Sequence, residues 1–100
     1  MVKHIILWKL KESFTEEEKA AARQEAKRRL EALNGKIDGL TELKVITDRL
    51  PTSNADMMLD STFTDEAALK NYAAHPAHVE VANTKVRPFT EVRLCLDFEA

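Results

Sequence analysis

The alternation of apolar and polar positions divides the chain into four strands and two helical units. Val2 to Leu10 is rich in β-branched and aromatic residues, with apolar side chains on both parities, and reads as a strand. Ile5 and Leu7 face one way and His4, Ile6, Trp8 and Leu10 the other, so both faces of this strand seek burial. Thr15 with Glu18 three positions on forms a capping box. The helix it opens is expected to reach about Leu33 and to stop at Asn34-Gly35. Its apolar stripe, Ala22, Ala26, Leu30 and Leu33, is narrow and built of small residues. Such a helix either lies close on a sheet or leaves room above it. Leu43, Val45 and Thr47 alternate with Lys44, Ile46 and Asp48 as a second strand, which ends in the turn cluster Leu50-Pro51-Thr52-Ser53-Asn54. Met57, Leu59, Ser61 and Phe63 alternate with Asp56, Met58, Asp60 and Thr62 as a third. Thr64-Asp65-Glu66 opens a short helix carrying Ala67, Ala68, Leu69 and Tyr72, which has to break before Pro76. A second short helix starts at Pro76 and is expected to run to about Lys85, with Val79, Ala82 and Val86 on one side. Val92, Leu94, Leu96 and Phe98 alternate with Arg93, Cys95, Asp97 and Glu99 as the last strand.

The order β-α-β-β-α-β predicts an α+β, ferredoxin-like fold, an antiparallel sheet with its helices on one face. The other face is then bare in a lone chain. Strand one is apolar on both sides, and Ile46 and Met58 fall on outer positions. A second copy covering that face is the expected solution, most simply as a two-fold homodimer.

Composition narrows the partners. One hundred residues make a single domain spanning 1–100. The formal charge of −2 gives no reason to expect nucleic acid or an anionic membrane as partner. Two glycines exclude a Gly-rich phosphate loop. No run approaches the ~18 apolar residues of a membrane span, and the first apolar run, broken by Lys9, is too short for a signal peptide. Cys95, the single cysteine, has no internal disulfide partner, so a reducing, cytoplasmic setting is expected.

Several residues have chemistry to offer, each with a plainer structural reading beside it. His75 and His78 are three apart, but Pro76 lies between them and only Glu80 is near, so no metal site is expected. His75 is assigned to capping the helix break. Tyr72 is either a core residue with its hydroxyl at the edge or a hydrogen-bond donor in a cleft. His78 either ties down the break or serves as a base near neutral pH. His4 is either a buried histidine bonded to backbone or a participant in that cleft. Trp8 and the pair Met57-Met58 fit a core, a dimer seam or an adaptable apolar pocket. Asp56 and Asp60 share a parity and are expected to face solvent or the seam. Cys95, on the side of Arg93 and Asp97, reads as packing rather than nucleophile. Arg23, Lys27, Arg28 and Arg29, balanced by Glu16 to Glu18, read as a solvated helix face with an i, i+4 pair between Glu25 and Arg29.

Three stretches together resemble the stress-responsive α/β-barrel (Dabb) family: the opening Val2-Lys3-His4-Ile5-Ile6-Leu7-Trp8-Lys9-Leu10, the junction Phe63-Thr64-Asp65-Glu66-Ala67, and Tyr72 followed by His75-Pro76-Ala77-His78-Val79. The resemblance covers essentially the whole chain. It implies a ferredoxin-like protomer whose sheet packs on that of a second copy to form a barrel-like dimer. The family includes plant polyketide cyclases, which close a linear polyketide by aldol condensation without metal or organic cofactor. The resemblance places Tyr72 and His78 at their catalytic positions and His4 at their strand-one histidine. A third-strand histidine of those enzymes falls at Met57, and pocket aromatics fall at Ala22, Arg23 and Ala26, so the catalytic pair is kept and the walls are not. The functional expectation is binding of a small organic molecule, with no cofactor, His78 as base and Tyr72 as donor. His4 takes part, and Trp8, Met57, Leu59, Ala22 and Ala26 line the pocket. The alternatives are a non-enzymatic stress-responsive structural dimer and a cofactor-free monooxygenase of the antibiotic-biosynthesis type, which shares the architecture.

Overall fold

In the computed structural model, which describes residues 1–100, the chain runs β1 (Val2–Leu10), α1 (Glu16–Glu31), β2 (Leu40–Ile46), β3 (Met57–Phe63), α2 (Glu66–Ala74), α3 (Pro76–Val81), a π turn at Ala82–Val86, a 3-10 turn at Arg87–Phe89, and β4 (Thr90–Glu99). The four strands form one antiparallel sheet in the order β2-β3-β1-β4. This is the ferredoxin-like α+β arrangement that the element order predicts.

Strand alternation sorts the two faces. Val2, His4, Ile6, Trp8 and Leu10 of β1 and Met57, Leu59, Ser61 and Phe63 of β3 are buried on the helix side. On the other side the register aligns Ile46, Met58, Leu7 and Leu94 in a row across all four strands, with Ile5 and Leu96 in the next. Leu94 and Leu96 are 62% and 65% exposed. A contiguous apolar row of this kind is unusual on a monomer's surface.

Helix α1 resolves the choice its small residues left open, because Ala26 is fully buried and the helix lies close on the sheet. The capping box forms as expected, with Glu18 N–H donating to Thr15 Oγ1 at 3.1 Å and Thr15 N–H donating to Glu18 Oε1 at 2.8 Å. The helix stops at Glu31, two residues short of Leu33. The Asn34 side-chain amide donates to the carbonyls of Glu31 and Leu43, and its oxygen accepts from Leu43 N–H. Asn34 thus pins the helix end to β2 while Gly35 takes the left-handed turn at φ +80°. β2 begins at Leu40 rather than Leu43, because Leu40 and Glu42 pair with Phe63 and Thr62 of β3.

Three further expectations need correction. Asp56 does not face solvent or a seam. It lies just ahead of β3, is buried, and accepts from Leu10 N–H at 2.7 Å, with the Arg49 and Arg23 guanidiniums 3.5 and 4.0 Å away. Asp60 does lie on the open face, paired with Lys3 at 2.6 Å. Glu25 pairs with Arg28 and Lys85 rather than Arg29, which reaches Glu80 instead. The helix from Pro76 gives way to the π turn after Val81. Pro88 has no N–H and crowds the carbonyl four residues back, which bars a regular helix there.

Gly39 carries a local prediction. At φ +84° a side chain is strained, and a Cβ would sit 2.4 Å from Ala68 Cβ. Gly39→Ala is expected to cost about 2–5 kcal/mol, adding overpacking to the left-handed penalty. Gly35→Ala, with nothing within 4 Å of its Cβ, should cost only about 1–2 kcal/mol. Thermal unfolding of the two variants separates the effects; equal losses would contradict the packing argument.

Candidate functional site

Asp65 opens α2 by accepting from Ala68 N–H at 2.8 Å, and Pro76 ends it. At the break, His75 Nδ1 accepts from Ala77 N–H at 3.1 Å, so this histidine caps α3 as expected. The break turns His78, the third residue of α3, back over α2, and its ring lies 4.1 Å from the Tyr72 ring, centroid to centroid. The His4 ring, from β1, stands edge-on to Tyr72 at 6.1 Å. Tyr72, which also packs on Phe63 at 5.0 Å, is the hub of this aromatic cluster.

Beside the three rings is a cleft of about 170 Å³ between sheet and helices. His4, Trp8, Leu59, Tyr72 and His78, all among the residues the resemblance points to, line it. Met57, Ala22 and Ala26 do not. Met57 is buried at the far end of β3 beside Asp56, and the two alanines are spent on bringing α1 down onto the sheet. Arg87, Thr90 and Arg93 complete the wall, and no motif in the sequence marks them as site residues. The parity of β4 already put Arg93 on the helix side, paired across the ladder with Trp8. Arg87 depends on the π turn, whose extra residue per turn no apolar pattern announced. A larger hollow of about 560 Å³ adjoins the cleft along β4 and α2 and shares His4, Ala73 and Arg93 with it.

The protonation states follow from the surroundings. His78 Nδ1 faces the Ala73 carbonyl at 3.4 Å, which assigns the proton to Nδ1 and leaves the Nε2 lone pair free. Burial is the main cause holding His78 below the usual histidine value of 6.5, the Ala73 bond opposes it, and the positive charges of His4, Arg87 and Arg93 lower it further. His78 is therefore a neutral base at pH 7. Burial also pushes the Tyr72 phenol well above its ordinary range, with Arg93 opposing only in part, so Tyr72 stays a donor. Its hydroxyl is buried without any hydrogen-bond partner. A buried orphan hydroxyl costs about 1–3 kcal/mol, an arrangement that folding alone does not favour.

His4 is held by Asp97, whose carboxylate meets Nδ1 and fixes the orientation of the ring. The Cys95 thiol lies 3.8 Å from the same Nδ1 and 3.4 Å from Asp97. Burial and Asp97 raise the thiol above its ordinary value, which opposes nucleophilic use, but Cys95 is exposed and not the packed residue the sequence suggests. Nitrogen, sulfur and oxygen donors converge within 4.8 Å here, but the positive charge of Arg93 is near enough to the thiol to lower its value, and a cation in that place opposes a second one.

The geometry is that of a ferredoxin-like α+β protomer with one apolar sheet face and a small cleft of two histidines and a tyrosine under the other. The chain belongs to the stress responsive A/B barrel domain (Dabb) family, whose sequence profile matches residues 2–100. It is 33% identical to a dimeric ferredoxin-like protein of unknown function from Bacteroides fragilis, covering 99% of this chain and 95% of that one with a TM-score of 0.92. A Dabb protein from Mesorhizobium loti is 25% identical over 99% of this chain and 95% of its own, with a TM-score of 0.75. A hydroxynitrile lyase from Passiflora edulis shares the fold at 20% identity, covering 97% and 90% of the two chains with a TM-score of 0.76. No functionally curated protein matches the chain in sequence. No helix is long and apolar enough to cross a membrane.

Proposed function

We propose that two copies of the chain pack through their open sheet faces, and that each cleft binds a small organic molecule and removes a proton from carbon next to a carbonyl. The B. fragilis relative is dimeric, and the Leu7, Leu94 and Leu96 row supplies the matching apolar surface. A reducing compartment such as the cytoplasm suits the exposed free thiol of Cys95.

In the cleft, His78 Nε2 takes the proton and the C–H electron pair moves onto the carbonyl oxygen as an enolate. The Tyr72 hydroxyl donates to that oxygen as charge develops. The enolate carbon then attacks a second carbonyl of the same molecule, as in an aldol closure; the first C=O re-forms, and the alkoxide left on the attacked carbonyl takes the proton from His78. His4, oriented by Asp97, lines the floor.

The observation that carries this reading is the orphan Tyr72 hydroxyl. A side chain kept for packing alone would be as good or better without it. Tyr72→Phe is therefore expected to leave thermal stability unchanged or raise it by about 1 kcal/mol, while weakening the thermal shift given by ethyl 2-methylacetoacetate. A loss of stability with ligand response intact would favour the purely structural dimer.

A further inference from the structure

The chain has six arginines. Arg23 and Arg49 lie against Asp56, Arg28 against Glu25 and Arg29 against Glu80. The remaining two, Arg87 and Arg93, have no carboxylate within 4.0 Å, and both line the His78–Tyr72 cleft. No aspartate or glutamate lines that cleft at all. Asp97, on the same face of β4, is engaged by His4. Arg87 is further restrained by its Nη1 bond to the Asn83 side-chain oxygen, so one edge of its guanidinium is fixed and its other donors are free.

Two uncompensated guanidiniums and an unpartnered phenol make a small site rich in donors, in which the free Nε2 of neutral His78 is the exception. Such a site is matched by a ligand bearing negative charge and hydrogen-bond acceptors. We propose that the ligand of this cleft is a small organic carboxylate, its anionic head group held by Arg87 and Arg93 and one oxygen facing Tyr72. This rests on the cleft being a ligand site and goes on to name the ligand's class. Guanidinium forks match the planar carboxylate and are the usual choice for it over lysine. The size is bounded as well. A cavity of about 150 Å³ takes a benzene ring, so about 170 Å³ admits a monocyclic body. Any longer tail has to leave past Ala73 and Arg93 into the adjoining hollow.

Trp8, the single tryptophan, lies in the cleft wall, and its emission reports occupancy. The test compares benzoate with benzamide, equal in shape and differing in charge, in fluorescence titrations of the dimeric protein. Benzoate is expected to bind at least about tenfold tighter. Arg87→Gln and Arg93→Gln, both at exposed positions, are each expected to erase most of that preference by weakening benzoate binding far more than benzamide binding. Equal binding of the two probes, or a preference for benzoate unchanged in both variants, would overturn the carboxylate assignment and leave the cleft as a site for neutral ligands. Failure of both probes to perturb Trp8 in the wild-type protein would overturn the ligand site itself and this assignment with it.

Discussion

Leu94→Asp combined with Leu96→Asp is expected to convert the proposed dimer to a monomer that keeps its secondary structure. Both side chains are more than half exposed in the protomer, so neither change opens a hole in its core. Across a two-fold interface each substitution counts twice. Four leucines at even 1.5 kcal/mol apiece amount to about 6 kcal/mol, roughly four orders of magnitude in Kd. The aspartates, facing Leu7 and Ile5 across the ladder, would also bring carboxylates onto an apolar surface. Sedimentation at micromolar concentration with circular dichroism reads both effects. A variant that remains dimeric with unchanged affinity would show that the copies meet elsewhere.

That surface was visible in the sequence because strand alternation has a period of two, and a strand apolar on both parities presents apolar side chains on two faces. The same rule located Ile46 and Met58. It served less well where single side chains rather than periods set the outcome. Asp56 continues the parity of β3, yet it turns inward to satisfy Leu10 N–H. Asn34 shortens α1 by bonding β2. Neither contact has a local signature.

The second large effect is catalytic. His78→Ala is expected to lower protein-catalysed exchange of the proton between the carbonyls of ethyl 2-methylacetoacetate by about 10²–10⁴-fold, the range of a lost general base. The fold should survive, since His78 is only half-buried and its bond to Ala73 is long. The pH dependence has a definite sign. His78 loses its proton below the ordinary value of 6.5, so the catalysed rate should rise with pH below 6.5 and be level around neutrality. Linkage runs the same way. In the window between the lowered native value and 6.5 the unfolded chain binds more protons at this residue, so its contribution makes stability rise with pH. His78→Ala should flatten both profiles there.

The candidate site was only partly legible for a related reason. The Tyr72 and His78 rings meet because Pro76 redirects the chain, and sequence spacing alone did not establish that contact; the family resemblance did. Ala22 and Ala26 were assigned to pocket walls by that same resemblance. In this chain, small residues at those positions let the helix descend and fill the space. Arg87 and Arg93 went unnoticed because isolated arginines read as surface, and only the pairing of the other four sets them apart.

The most direct test of the proton-abstraction account is the rate of hydrogen–deuterium exchange at the central carbon of ethyl 2-methylacetoacetate, followed by NMR in D2O at neutral pH. Wild-type protein, Tyr72→Phe and His78→Ala are compared at equal dimer concentration. The probe is uncharged, so the result bears on base and donor rather than on the arginines. The account predicts protein-dependent exchange in the wild type, a reduced rate in Tyr72→Phe and none above background in His78→Ala. Exchange at background in the wild-type protein, or an undiminished rate in His78→Ala, would contradict it.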